Sequence, residues 1–215
     1  MINLNFKFLK FWLKYYFSKY SRYRHIYLTL LSLRPKTILE IGVYRGIRSY
    51  EMISLASDLN SSVKYYGFDL FEKISKKKIN LELSKQPLPK KEIKEKLNNF
   101  KNTRVKLISG DTQITLKKFI KSKKKIDFIF IDGGHSIKTI LSDWKNVKKV
   151  MSKKSIVIFD DYYDDNEIIK KYGCNKVINE IGDEFNFEIL KSTDFIFFNK
   201  KKKIKNSLVK VFYKN

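Results

Sequence analysis

Two short apolar runs, IDFIFI at 126–131 and SIVIF at 155–159, stand out from the hydrophobic pattern, and each is closed by aspartate. Runs this brief, rich in isoleucine and phenylalanine, predict strands buried on both faces. Between them, 136–152 repeats Ile137, Ile140, Leu141, Trp144, Val147, Val150 and Met151 at helical spacing. Strand, helix and strand in one sheet imply a parallel, right-handed crossover. The ligand crevice of such a sheet lies beyond the carboxyl ends of its strands. Asp132, Asp160 and Asp161 therefore converge on one rim.

The same alternation extends upstream. After Arg34-Pro35-Lys36, a strand is predicted at 37–41 and an amphipathic helix at 46–59. The turn between them holds Glu40, Gly42 and Gly46, and a glycine just past a strand lets the backbone approach a ligand. The next strand, 63–68, ends at Asp69, where an acid commonly holds a ribose diol, although capping of the following segment is the alternative. The lysine-rich stretch 71–103, with Pro87 and Pro89 inside it, predicts an irregular lid or substrate wall and then a helix at 90–100. A strand at 104–109 follows, then Asp111 and a helix at 112–121; Asp111 either meets an adenine amino group or caps that helix.

Beyond the paired aspartates, a helix is expected from Cys174, and strands at 185–190 and 194–199. The short join Lys191-Ser192-Thr193 predicts an antiparallel hairpin. Residues 200–215 read as a basic, partly disordered tail.

The 215 residues suffice for one sizeable α/β domain, and 43% hydrophobic residues supply its core. The net charge of +24 permits nucleic acid, an anionic membrane surface or an acidic substrate as partner, but no compact basic motif accompanies it. A single cysteine, Cys174, excludes an internal disulfide and a cysteine-based zinc site and fits a cytoplasmic setting. Residues 1–34 form a basic, aromatic segment with no acid before Glu40, and its longest uncharged run, 26–33, is far too short to span a bilayer. Helices packing on the domain or on a second subunit are expected there, and a membrane-surface helix is the less favoured alternative.

Taken together, LEIGVYRG, YYGFDLFE, ISGDT, FIFIDGGHS and IVIFDDYY resemble the motifs of class I S-adenosylmethionine-dependent methyltransferases across about 37–199. The resemblance implies a Rossmann-like α/β domain over 35–199, with a seven-stranded, mostly parallel sheet, an antiparallel last strand and helices on both faces. DGGHS followed by DDYY looks most like the metal-dependent sugar O-methyltransferases, including those acting on macrolide sugars. On that likeness Glu40, Gly42 and Gly46 border the methionine part of the cofactor, Asp69 its ribose and Asp111 its adenine. Asp132, Asp160 and Asp161 match carboxylates that hold magnesium, and His135 matches a general base. Gly134 departs from the pattern, because relatives often carry aspartate there.

The implied chemistry is methyl transfer to a hydroxyl of a sugar or other small molecule, magnesium stabilising the developing alkoxide and His135 taking the proton. Helix caps and turn residues are the plainer account of the aspartates and of His135. A nucleic-acid methyltransferase and a non-catalytic cofactor-binding protein are the other functions considered. The chain has no Asn-Pro-Pro-Tyr-type motif and no paired cysteines to favour the first.

Overall fold

In the computed structural model, which describes residues 6–198 and 202–214, the doubly buried runs form the middle of a sheet. β1 (Thr37–Ile41), β2 (Val63–Asp69), β3 (Thr103–Ser109), β4 (Ile126–Ile131) and β5 (Met151–Tyr163) are parallel, in the order β3-β2-β1-β4-β5. Alternate residues serve opposite faces. Phe128 and Phe130 enter one core with Ile38, while Ile129 and Ile131 enter the other with Leu39.

Helices cover both faces. α1 (Phe6–Tyr16), α2 (Arg24–Leu33), α3 (Ile47–Leu59) and α5 (Lys90–Leu97) pack on the first. α6 (Thr112–Ile120), α7 (Ile137–Val147) and the short α8 (Asn175–Asn179) pack on the second, where Trp144 meets Phe159 and Phe185 at ring separations of 5.7 and 4.9 Å. The short helix α4 (Lys76–Leu81) belongs to the connection after β2. The helix expected over 136–152 is shorter, because a tight turn at Lys148–Val150 ends it and Met151 already pairs with Ile126 in the sheet.

The C-terminal part differs from expectation in two respects. β6 (Phe185–Leu190) and β7 (Phe195–Phe198) do not form a hairpin with each other; both pair with β8 (Lys202–Tyr213). β8 is not a tail. It runs antiparallel between β5 and β6 and completes a seven-strand path, with β7 added beside its start. Its buried residues Leu208, Val209 and Val211 give it a place in the core, and Lys210 is accommodated by an ion pair to Glu188. Part of the lysine run, residues 200 and 201, lies outside the described residues.

Chain order along the sheet reverses between β1 and β4, which is where an open α/β sheet leaves its crevice. Among the described residues no helix is long and apolar enough to cross a membrane.

Candidate active site

The tips of β1 and β4 meet closely. The Asp132 N–H donates to the Ile41 carbonyl at 2.8 Å, and a β-carbon on Gly42 would stand 1.8 Å from the Asp132 carbonyl oxygen. Gly42 is thus required by the neighbouring strand as well as by its φ of 92°. Gly46 ends the turn at φ 71° and starts α3. Within β1, Glu40 is fully buried; Oε2 accepts from the Ser49 and Tyr65 hydroxyls, while Oε1 has no partner among the described residues. Burial pushes this carboxyl up to about 7, against the pull of those two hydrogen bonds.

Asp69 clamps the glycine turn to the tip of β2. Its Oδ2 accepts from the Tyr44 N–H and its Oδ1 from the Phe71 N–H, both at 2.8 Å. Asp111 adopts the capping role at α6, accepting from the Gln113 N–H at 2.8 Å, and its other oxygen lies 3.7 Å from the Lys78 ammonium. Both acids lie at the rim, Asp69 ending β2 and Asp111 following β3, with a lone pair still available on each oxygen.

Across the switch point, β5 bends. Neighbouring residues in a regular strand point to opposite faces, but the register shifts between Phe159 and Tyr162 and Asp161 takes φ 66°. The two adjacent aspartates consequently take different main partners at one edge, with the Asn206 amide reaching both at 3.4 and 3.2 Å. Asp161 Oδ2 lies 3.1 Å from His135 Nε2, and Asp132, His135 and Asp161 present ligand atoms within 4.8 Å of one another. Asp160 is engaged elsewhere. Its oxygens accept from Arg22 Nε and Nη2, each at 2.8 Å, and from the Tyr23 hydroxyl at 3.0 Å. The group able to hold a cation is therefore two aspartates with a histidine, where three aspartates were expected. Asp160 is withdrawn from it by a buried guanidinium.

Electrostatics at the cluster are strained. Burial, then the carboxylates of Asp160 and Asp161, hold Asp132 well above the usual carboxylate range. Burial also raises Asp161, with Asp160 adding to it and His135 opposing. His135 Nδ1 bonds the Glu82 carbonyl, an atom that can only accept, so Nδ1 carries the hydrogen. A neutral ring then turns the Nε2 lone pair towards the Asp161 carboxylate. Two acceptors at 3.1 Å require a proton or a metal ion between them. Burial works against the protonated ring, but Asp161 outweighs it together with the Glu82 carbonyl, and the imidazole is raised from its ordinary value.

Three residues that the sequence pattern did not single out complete the site. Glu82, at the end of α4, is 2% exposed and accepts from the Ser136 N–H at 2.8 Å and the Thr139 hydroxyl at 2.7 Å, capping α7 beside His135. Through Lys78, which reaches both Glu82 and Asp111, and the Leu88 N–H on the Tyr44 carbonyl, the segment 70–89 lies across the rim. Asn206 of β8 donates to Asp161 at 3.2 Å, and Arg22 binds Asp160 and Asp194 together. Each is far in sequence from what it touches, so no local spacing marks it.

A crevice at the switch point, a glycine turn clamped by a strand-end acid and an acidic cluster opposite are the features of an α/β fold that takes a nucleotide-type ligand. The sequence profile of a methyltransferase domain matches residues 39–162, more than half of the chain, and the chain belongs to that methyltransferase family. No curated protein matches it in sequence. Solved structures share its fold. The O-methyltransferase from Bacillus cereus in complex with SAH has a TM-score of 0.60 at 14% identity, over 100% of this chain and 93% of the other. TomG from Streptomyces achromogenes, an O-methyltransferase of tomaymycin synthesis solved with SAM, has a TM-score of 0.60 at 10% identity over 100% and 92%. SAH-bound PaMTH1 from Podospora anserina has a TM-score of 0.55 at 16% identity over 99% and 89%. The protein is a SAM-dependent methyltransferase.

Proposed function

We propose that this enzyme carries the methyl group of S-adenosylmethionine to a hydroxyl of a small, sugar-like acceptor, with magnesium held by Asp132 and Asp161 and the hydroxyl proton received by His135. The observation that carries this is the grouping of Asp132, His135 and Asp161 within 4.8 Å at the tips of β4 and β5, beside the glycine turn. The similarity to O-methyltransferases supports the choice of a hydroxyl acceptor.

The residues present fit both groups. For the cofactor, the orphaned Glu40 Oε1 supplies a buried polar atom without a partner beside the left-handed turn at Gly42–Gly46, and Asp69 retains lone pairs for a diol. For the metal, the half-buried Asp132 and buried Asp161 carboxylates, which repel one another, suit a hard divalent cation. S-adenosylmethionine supplies a methyl group already activated by its sulfonium, and a bound magnesium ion supplies charge that stabilises an alkoxide. The chain's own work is to align and to deprotonate. Glu82 fixes the His135 ring so that Nε2 faces the cluster, where it accepts the acceptor's proton. The segment 70–89 lies across the rim, where it forms one wall for the acceptor. Asp160, neutralised by Arg22, anchors the end of β5.

Calorimetry with S-adenosylhomocysteine, with and without magnesium, tests the cofactor site, and methyl transfer to a panel of sugars with and without chelator tests the metal. Tight binding of the cofactor product with chelator-sensitive transfer is expected. Full transfer in chelator, with no metal in the purified protein, would remove the metal from this proposal.

A further inference from the structure

Helix α1 is apolar on two sides. Phe11 and Tyr15 face inward, 7% and 2% exposed, where Phe11 meets Tyr27 at a ring separation of 5.4 Å and the Tyr15 hydroxyl donates to Glu51. This inner face provides the packing expected of the segment. It leaves Phe6 at 84%, Leu13 at 40% and Tyr16 at 50% in the open, followed by Phe17 at 81% and Tyr20 at 46%. The Phe17 N–H still bonds the Leu13 carbonyl at 3.3 Å, so Phe17 continues the helical path. At helical spacing Phe6, Leu13 and Phe17 fall within about 40° of one another. A helix serving only the domain would carry one apolar stripe.

Charge selects the partner for the outer stripe. Exposed Lys10 and Lys19 and half-exposed Lys14 border it, and the chain has no acid before Glu40. The nearest carboxylates, Glu51 and Asp58, are already paired with Lys14 and Lys7. A two-fold contact would place the face against itself and bring lysines together with no acid in the segment to separate them. A helix with aromatic and aliphatic residues outward and lysines at its flanks instead matches an interface between acyl chains and anionic headgroups.

We infer that the outer face of α1, with Phe17 and Tyr20, docks on an anionic lipid bilayer. The rings enter the interfacial layer and the lysines meet the headgroup phosphates. The Tyr20 end of the patch approaches the candidate active site. Tyr20 lies 6.4 Å from the Tyr23 ring, whose hydroxyl donates to Asp160. Docking does not depend on the identity of the methyl acceptor.

The test is flotation of the full chain with phosphatidylcholine vesicles containing or lacking phosphatidylglycerol, with size-exclusion chromatography and single-stranded RNA binding measured alongside. The protein should float with the anionic vesicles and not with the zwitterionic ones. The double variant Phe6→Ser/Phe17→Ser should weaken partitioning by roughly tenfold or more, because two rings lose their burial in lipid. Lys10→Glu/Lys19→Glu should weaken it further at low salt than at high salt. All four side chains are outside the core, so melting should be unchanged. Failure to float overturns the inference, as does undiminished floating of the aromatic variant, which would leave net charge as the whole cause. A dimer dissolved by Phe6→Ser/Phe17→Ser would make the face a self-contact, and RNA binding lost with the same pair would make it a nucleic-acid surface.

Discussion

The Glu82 carboxylate occupies the space that a side chain at position 134 would fill. A β-carbon on Gly134 would lie 2.7 Å from Glu82 Oε2 and 2.8 Å from Thr139 Cγ2. The chain brings this carboxylate from the segment after β2, and it accepts from the Ser136 N–H and the Thr139 hydroxyl at the start of α7. Acid and glycine are therefore a matched pair.

Gly134→Asp alone should crowd Glu82 and set two carboxylates against each other, costing about 1–3 kcal/mol. In a Glu82→Ala background the same substitution should cost less, with a coupling on the order of 1 kcal/mol or more. Urea denaturation of the four proteins measures the cycle. Additive effects would mean that the two positions do not compete for one space.

Gly42 is a poor probe of cofactor binding, because the Asp132 carbonyl, 1.8 Å from the place of a β-carbon, blocks any side chain before a ligand is present. Gly42→Val should lose several kcal/mol of stability, on the order of a severe core clash at a left-handed residue. Asp69→Asn is the milder probe, since it removes charge without adding volume, although it sets an amide NH2 against the Tyr44 or Phe71 N–H. It should weaken S-adenosylhomocysteine by about tenfold or more, in keeping with loss of a charged acceptor. Calorimetry on both variants, after a melting curve on each, separates the effects; a Gly42→Val protein as stable as the parent would contradict the strand contact.

The middle of the parallel sheet was legible because β4 and the central run of β5 are buried on both faces and almost wholly apolar, as in IDFIFI and SIVIF. Asp69, Asp132, Asp160 and Asp161 were legible because they close such runs. β8 was not, since Lys205, Asn206, Ser207 and Lys210 interrupt its apolar residues and imitate a solvated tail. The expected hairpin does not form for a related reason. The link between β6 and β7 does not simply turn: Asp194 is held by Ser21 and Arg22, and Ser192 donates to the Asn206 carbonyl. Arg22 stands 138 positions from Asp160, and only the folded chain brings them together. The same holds for Glu82, 54 positions from Ser136, so the division of labour between Asp160 and Asp161 could not be read from their adjacency.

That division gives opposite responses to substitution. Asp160→Asn leaves the buried Arg22 guanidinium with a weakened partner and should cost about 3–5 kcal/mol, which added magnesium should not restore. Asp132→Asn removes a carboxylate that burial and its neighbours already disfavour, so the metal-free protein should melt at the same temperature or higher. It should also lose the rise in melting temperature that magnesium gives the parent. Calorimetric melts with chelator and with magnesium distinguish the two aspartates. Recovery of Asp160→Asn by magnesium would return Asp160 to the ligand set.

Two buried carboxyls away from the cluster set a pH dependence of stability. Glu40 is pushed from 4.5 up to about 7 by burial, and the buried Asp143, against the pull of the Thr112 hydroxyl, from 3.8 up to about 7. Each keeps its proton in the folded chain over a range where the unfolded chain has lost it. Unfolding then releases protons, so these groups lower stability as pH rises from about 4 to about 7 and contribute no further slope above that. For Glu40 alone the loss amounts to about 3 kcal/mol. Glu40→Gln keeps a carbonyl oxygen for the Ser49 and Tyr65 hydroxyls and cannot ionise. Relative to the parent it should therefore gain stability steadily through this window and hold the gain at alkaline pH, while Asp143→Asn should remove the remaining share of the slope. Urea titrations at a series of pH values read this directly. Parallel curves for Glu40→Gln and the parent would show that Glu40 ionises in the folded protein as it does in water, with the Ser49 and Tyr65 hydroxyls offsetting its burial in full.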